Sequence, residues 1–586
     1  MTALHRILAA LMTLACLHPV KTSAQALTPS VVTPRYDVRS EIFSPVVARQ
    51  AMVASDHALA TQAGVAIMQQ GGNAIDAAVA VGFALAVVQP YAGNLGGGGF
   101  MLIRHAGSGD EIALDFRETA PMNAHRDMYL DGLGQVEPGK SLYTHHAIGV
   151  PGTVAGLTEA LRAYGTLPRA AVVAPAIALA QEGFPVSATL AAALRENRDT
   201  LSRWPATRAI FFKPTPNGGS EPLAEGDRLV QSDLAATLTA IARAGAEGFY
   251  TGPVAERIAA EVASHGGPMT RVDLAGYRAV FRQPVSGRYR GLRVTAMPPP
   301  SSGGVHIVQM LNLLERYPLG DYGAGSAQAL HVMAEAMKLA YADRSQWLGD
   351  PDFTDVPMRG LTSRAYADAL AAHIDPHRAA PATDIRPGDP LPYESPETTH
   401  YSVVDAQGNV VSVTYTLNLN FGSGIVAAGT GVLLNNEMDD FSVKPGAPNA
   451  FGLIGGTANA IAPRKRPLSS MSPVIVYCGD HPWLVTGSPG GARIISIVLQ
   501  AIVNAVDFGM NPAESAAMPR VHHQWRPDVL RVEKGLSPDT LRLLTKMGHN
   551  VRIAPVMGRT QTIQIEQDRL LGASDPRHPD GLTAGY

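Results

Sequence analysis

The chain reads as an α+β protein in which layers of helices cover sheets. Three observations carry this reading. Apolar residues recur at helical spacing over about 150–350, and β-rich runs cluster after about residue 398. Between them, 378–397 (RAAPATDIRPGDPLPYESPE) holds Pro or Gly at six of twenty positions with no apolar period, and it reads as an exposed linker. Helices gathered before a linker and strands after it fit helix-on-sheet layers.

The elements follow in order. The first 26 residues combine Arg6, the apolar stretch Ile7–Leu17 and the small residues of Ala24-Gln25-Ala26, the pattern of a secretory signal cut near Ala26. The apolar stretch is too short to span a bilayer. Ala58–Gln70 and Ala74–Val88 are predicted helices separated by Gly71-Gly72-Asn73, with Asn73 as cap of the second. Ala77–Val88 carries no polar side chain, and its length suits a buried core helix. Asn94-Leu95-Gly96-Gly97-Gly98-Gly99-Phe100 lacks the Lys-Ser/Thr of a phosphate loop and precedes a strand rather than a helix, so its glycines are expected to serve tight backbone packing. Further helices are predicted at Thr153–Tyr164, Leu234–Ala244, Ala327–Ala342 and about 492–506. Strands are predicted at Thr399–Val404, Val410–Leu417, Pro473–Tyr477 and Trp483–Thr486.

Composition narrows the function classes. Of 586 residues, 46% are hydrophobic and 17% charged, which excludes an extended disordered chain. A net charge of −3 gives no electrostatic case for nucleic acid. Beyond the signal only Cys478 remains, so neither an intramolecular disulfide nor a cysteine metal cluster can form; a small residue near a strand end is its expected role. His522-His523 are adjacent and alternate faces if extended, which suits a structural role better than ligation. No metal or organic cofactor is called for.

The chemistry-bearing residues lie mostly after the linker. If the chain were cut before Thr398, that residue would carry a hydroxyl beside a free α-amine. The amine's reference pKa of about 7.7–8.0 leaves part of it basic near neutrality. Thr activated by its own amine is a known nucleophile. Thr416 and Asn418 share a face by the period-two rule. Glu437 and Asp440 follow in NNEMDDF, Ser469-Ser470 in RPLSSMSP and Gly490-Gly491 in TGSPGG. Each has an ordinary reading as strand polar residue, surface acid, turn serine or helix-start glycine. Together they are parts of an acyl-transfer site for a zwitterion: carboxylates for an ammonium, Arg and hydroxyls for a carboxylate, paired amides for an oxyanion.

The stretch from about Ala51 to Tyr586 resembles the γ-glutamyltransferases (γ-glutamyltranspeptidases, glutathione hydrolases). The resemblance rests on GGNAIDAAVA, GGGGFML, DFRETAP, GVPGTVAGL, PPPSSGGVH, YADRSQWLGDPDF, ETTHYSVVD, TYTLN, NNEMDDFS, RPLSSMSP, TGSPGG and DPRHPDGLTAGY, in that order. It implies the four-layer αββα sandwich of N-terminal-nucleophile hydrolases, built from two chains cut from one precursor: a large subunit 27–397 ending in the linker, and a small subunit 398–586. It implies self-cleavage between Glu397 and Thr398, Thr398 as nucleophile, and Thr416 as its hydrogen-bonding activator. Arg117 in DFRETAP would clamp the substrate α-carboxylate with Ser469 and Ser470. Asn418, Glu437 and Asp440 would hold the α-ammonium, and the Gly490 and Gly491 amides the oxyanion.

The implied activity is cleavage of the γ-glutamyl amide of glutathione and related compounds, through a γ-glutamyl-Thr ester passed to water, amino acids or dipeptides. The implied location is outside the cytoplasm, periplasmic or secreted, with no membrane span once the signal is cut. PGAPNAFGLIGGTANAIAP, between Asp440 and Ser469, resembles a lid loop in which several relatives carry Tyr where this chain has Phe451. Two other readings remain: a glutaryl-type β-lactam side-chain acylase on the same scaffold, and a non-catalytic exported protein that binds γ-glutamyl peptides.

Overall fold

A computed structural model describes residues 42–391 and 402–586. The signal segment 1–26, Thr398 and the last residues of the predicted linker lie outside the described residues.

Two seven-stranded antiparallel sheets form the centre. The first runs Val46–Ala48, Leu570–Ser574, Gln561–Ile565, His481–Thr486, Val474–Cys478, Leu292–Ala296, Val285–Tyr289. The second runs Leu582–Gly585, Met52–Ser55, Ser402–Val404, Val410–Thr416, Gly98–Arg104, Glu111–Phe116, Val280–Arg282. The sheets pack face to face, Met52–Ser55 against Gln561–Ile565 and Leu570–Ser574, and Val410–Thr416 against His481–Thr486. Strand periodicity divides the second sheet's side chains between two cores. Val53, Met101, Ile103 and Val411 point to the helix side, whereas Met52, Ala54, Phe100, Leu102 and Val410 point to the facing sheet. Both faces are buried, which is why these strands read as continuous apolar runs rather than alternating ones.

Helices close each outer face. Ala74–Val88 lies on Ser402–Val404 and Val410–Thr416, with Ala58–Gln69 and Arg169–Glu182 packed around it. Every residue of Ala74–Val88 is buried, and its one ionisable side chain, Asp76, is spent at the start. Asn73 and Asp76 form a capping box, and the Asp76 carboxylate also accepts the Thr166 hydroxyl at 2.6 Å and the Leu167 amide at 3.1 Å. On the opposite face Gly303–Leu314 covers Val285–Tyr289 and Leu292–Ala296, backed by Ala327–Trp347 and Ile494–Val506. The result is the αββα sandwich.

The predicted elements recur with shifted ends. The long helix continues past Ala342 to Trp347. The helix predicted from about 492 begins as a 3₁₀ turn, Gly491–Arg493, before Ile494–Val506. The four glycines pack as expected: a Cβ would sit 2.0 Å from the Leu433 carbonyl oxygen at Gly96 and 2.0 Å from that of Thr416 at Gly97. Cys478 ends its strand, exposed.

The linker reading needs correction over 378–391. Ala379, Ala382 and Ile385 are buried. The Ala379 amide donates to the Met547 carbonyl, the Ala382 amide to Asp528, the Trp525 indole to the Ala382 carbonyl, and the Gly388 amide to Asp343. Lack of periodicity correctly excluded regular structure, but side chains of the body satisfy this backbone and hold it down.

Candidate active site

A cavity of about 480 Å³ opens beyond the ends of the central strands Val410–Thr416 and His481–Thr486, within the size range of small-molecule pockets. Its lining includes Arg117, Thr416, Asn418, Glu437, Asp440, Phe451, Ser469, Ser470, Gly490 and Gly491. Apart from Thr398, which lies outside the described residues, every site residue expected from the sequence therefore converges on one cavity.

Arg117 follows directly on the strand Glu111–Phe116 and is fully buried. Its Nη1 donates to Glu437, its Nη2 to Asp440 at 2.6 Å, and its Nε to the Pro467 carbonyl at 3.2 Å. Glu118 stands 3.7 Å from Nη1. One guanidinium thus faces three carboxylates. Burial works against its charge, but Glu437, Asp440 and Glu118 together hold it above its ordinary value. The surplus acids respond in the opposite sense. Burial pushes Glu118 up to about 8 and raises Glu437 well above the carboxylate range, more than Arg117 can offset. Glu437 Oε2 is buried without a hydrogen-bond partner among the described residues. A second cation fits here, and unlike a neutral ligand it would release the protons the acids retain.

The remaining walls have matching chemistry. Glu437–Asp440 is a 3₁₀ turn that directs both acids inward. Asn418 is placed not by strand alternation, as expected, but by a left-handed residue just past the strand end, at φ +80°. Asn tolerates that region better than most residues. Its amide N–H donates to the Thr416 hydroxyl oxygen at 2.9 Å, and its side-chain NH₂ to the Asn436 carbonyl at 3.0 Å. What Asn418 can offer a ligand is therefore its carbonyl oxygen, an acceptor suited to an ammonium.

Ser469 and Ser470 are primed as donors. The Ser469 hydroxyl accepts from the Met471 amide at 3.2 Å, and the Ser470 hydroxyl accepts from Arg344 Nη2 at 3.1 Å. A serine whose oxygen already accepts can turn its proton to a carboxylate. Arg344 also donates to the Ser302 hydroxyl at 2.9 Å, and burial lowers its pKa from the usual arginine value.

Gly490 and Gly491 form the corner between strand and helix, at φ +148° and +58°. Both lie in the region that disfavours a side chain, and a Cβ on Gly491 would stand 2.6 Å from the Phe451 ring. That ring caps the corner. Its loop is tied to the acids, since Asn449 donates to Asp440 at 3.2 Å and the Ala450 amide to Asp439 at 2.9 Å.

Sequence reasoning missed Glu118, Arg344 and Asn449. Glu118 adjoins Arg117 in DFRETAP, and Arg344 lies in YADRSQW, so both were within motifs already noticed. Nothing in the sequence signals that Asn449 reaches Asp440. His522 and His523 are buried and structural as expected: His522 bonds Ser496 at 2.8 Å and Gln524 at 3.0 Å, and His523 bonds Asp528 at 3.2 Å.

The layered sheets with a charged cavity at the ends of their central strands have the N-terminal-nucleophile hydrolase class of fold. Residues 60–585 match the family gamma-glutamyltranspeptidase, and the chain belongs to it. It is similar to the glutathione hydrolase proenzyme of Escherichia coli (strain K12), 56% identical over 563 residues that cover 96% of each chain. Among solved structures it is similar to cephalosporin acylase from Bacillus halodurans, 30% identical with a TM-score of 0.82, over 94% of this chain and 99% of that one. It is also similar to Helicobacter pylori gamma-glutamyltranspeptidase, 46% identical with a TM-score of 0.56, over 57% of this chain and 95% of that one.

Proposed function

We propose that the chain is a self-cleaving γ-glutamyl transferase/hydrolase that takes glutathione and related γ-glutamyl compounds as donors. The observation that carries this is the one-to-three balance of Arg117 against Glu118, Glu437 and Asp440, beside two donor-primed serines. A γ-glutamyl group ends in an α-amino acid zwitterion. Its ammonium meets the surplus acids and the Asn418 carbonyl, and its carboxylate meets Ser469, Ser470 and Arg117. Because Arg117 is already paired with Glu437 and Asp440, the donor enters by exchange, its two charges replacing one internal ion pair.

Thr398 supplies the nucleophile. The strand Ser402–Val404 pairs with Val410–Thr416 so that Val403 lies opposite Val411. That strand begins four residues after Thr398 in the sequence, and the last residue of its partner strand, Thr416, lines the cavity, which supports Thr416 as the hydrogen-bonding partner of Thr398. In maturation the Thr398 hydroxyl attacks the Glu397 carbonyl and the peptide bond gives way to an ester, which water hydrolyses. In turnover the hydroxyl gives its proton to the Thr398 amine and its oxygen bonds to the γ-carbonyl carbon. The Gly490 and Gly491 amides hold the oxyanion, as paired backbone donors do in acyl transfer. The leaving amine takes the proton as the C–N bond breaks. Water or an amino-acid or peptide amine then attacks the ester and frees Thr398.

The mature protein consists of 27–397 and 398–586, the signal being removed on export from the cytoplasm. Among the described residues no helix is long and apolar enough to cross a membrane.

The test is chain integrity with activity. Wild-type protein should separate on a denaturing gel into two pieces, the smaller beginning at Thr398. Thr398→Ala should stay whole and lose at least about 10⁴-fold in kcat. A wild-type chain that stays whole yet turns over γ-glutamyl anilide would overturn the reading. The likeness to a cephalosporin acylase keeps a second reading in view, glutaryl-type acylase activity. A glutaryl group carries no ammonium for the surplus acids, so γ-glutamyl anilide should be turned over faster than glutaryl anilide; the reverse order would favour the acylase.

A further inference from the structure

A second group of ligating side chains lies outside the cavity. The helix Gly252–Ser264 ends with Glu261 one turn before His265, its C-cap, so the two share a face. Against that face stands His145, on the 3₁₀ turn His145–Ala147. The turn packs against the helix on one side and against Glu437–Asp440, the acid-bearing wall of the cavity, on the other. His145 Nε2 is 3.2 Å from Glu261 Oε1, and the His145 and His265 rings stack 4.1 Å apart at 5°. One ligand atom from each of the three residues lies within 4.8 Å of the others.

We propose that His145, Glu261 and His265 form a site for one divalent transition-metal ion of the zinc type, two imidazoles and a carboxylate leaving one position open to water. Imidazole and carboxylate are the donors such ions take, at about 2.0–2.2 Å, which sets donors about 3.4 Å apart around a tetrahedral ion. The present spacing must shrink by about 1.4 Å at most, and the stacked His265 ring must also turn out of parallel with His145, because an imidazole nitrogen binds an ion in its ring plane. His265 is exposed and can supply that movement by rotating, while buried His145 stays fixed. His265 Nδ1 faces the Ser264 hydroxyl at 2.8 Å, which leaves Nε2 for the ion. The C-terminal end of a 13-residue helix also favours a cation.

The other His/Glu group, His331, Glu335 and His549, lacks these properties. Lys338 and the Ala380 amide occupy the two oxygens of Glu335, and His331 spends its nitrogens on His549 and the Asp375 carbonyl.

Trp204 packs edge-on to both rings of the proposed site, at 4.9 and 5.5 Å, and provides a reporter. Untagged, chelator-treated full-length protein is titrated with ZnCl₂ by calorimetry, and bound zinc is counted after dialysis. One equivalent should bind in the micromolar range, with a fluorescence change that is lost in Trp204→Phe. His265→Ala at an exposed position and Glu261→Gln at a partly buried one, both checked for fold by circular dichroism, should each bind at least about tenfold more weakly. No zinc bound in that range, or equal binding by folded variants, overturns the proposal.

Discussion

Two of the buried arginine–carboxylate clusters among the described residues behave in opposite ways. At the C-terminal corner, Arg520 and Arg577 face Asp575 and Glu533. Asp575 Oδ2 accepts from Arg520 at 2.6 Å and from Arg577 at 2.8 Å, while its Oδ1 accepts the Arg577 amide and Nε. Glu533 accepts from Arg577, from the Arg520 amide at 2.9 Å and from the Met557 amide. Although burial works against its charge, Asp575 is held below its ordinary value by the two arginines. At the cavity Arg117 alone pairs with Glu118, Glu437 and Asp440, Arg344 bonding serines instead, and two of those acids are pushed up. A balanced cluster is finished; an unbalanced one keeps a place for the ligand that balances it. Buried charge is thus a mark of function only where the count does not close.

Breaking the balanced cluster should cost the most stability. Arg520→Met leaves Asp575 and Glu533 short of a partner and should lower unfolding stability by about 3–5 kcal/mol in denaturant titration. The donor KM of the folded fraction should stay within about threefold. A large change in KM with little loss of stability would erase the distinction between the clusters.

Arg117→Met should act the other way. It removes the proposed partner of the donor carboxylate, so donor kcat/KM should fall by the equivalent of about 2–5 kcal/mol. The loss of stability should be smaller than for Arg520→Met, because Glu118 and Glu437 can answer by keeping their protons. Paired kinetics and denaturation on both variants make the check.

The raised acids give a pH signature. The folded protein retains protons on Glu118 and Glu437 that the unfolded chain releases above about 4.5, the ordinary glutamate value. Stability therefore declines as pH rises from there towards about 8, the pKa of folded Glu118. Thermal unfolding at several pH values should show this decline, flattened by Glu437→Gln and by a bound γ-glutamyl ligand. Glu437→Gln should also raise donor KM by about 1 kcal/mol, since a neutral amide still accepts a hydrogen bond from the ammonium.

The smallest change expected is at the cap of the cavity. Phe451→Tyr adds a hydroxyl where the ring meets Gly491 and should alter the ratio of transfer to hydrolysis by about 1 kcal/mol or less, without altering the donor kcat/KM. Product analysis with an amino-acid acceptor measures it.

Local rules carried much of this in the sequence. Asn73 capped the helix it was read to cap, Ala74–Val88 was buried throughout, and the Gly96–Gly99 run proved to be backbone packing. The motif residues also converged, because each follows a strand end or a tight turn that local composition reveals. What stayed hidden depends on partners remote in sequence. Arg344 acts through Ser470, 126 positions away, and no local pattern encodes that pair. Asn418 shows a subtler limit. Alternation put it on the right wall, but the strand had already ended and a left-handed turn did the placing. The 378–391 stretch failed for a related reason: absence of period says nothing about whether a neighbouring surface will take up the backbone.

The strand order of the second sheet has a consequence for the life of the protein. Met52–Ser55, from before the expected cut, is sandwiched between Leu582–Gly585 and Ser402–Val404, both from after it, and Val410–Thr416 in turn pairs with Gly98–Arg104. The first sheet mixes the two portions in the same way, with Leu292–Ala296 beside Val474–Cys478. Two fragments woven like this have no seam along which to part. Once the peptide bond is severed, the halves can leave each other only by dismantling both sheets. Partner exchange between molecules should therefore be as slow as global unfolding, and fragments produced separately should not assemble by simple docking. Division after folding lets the enzyme gain a new N-terminus without acquiring a dissociation constant.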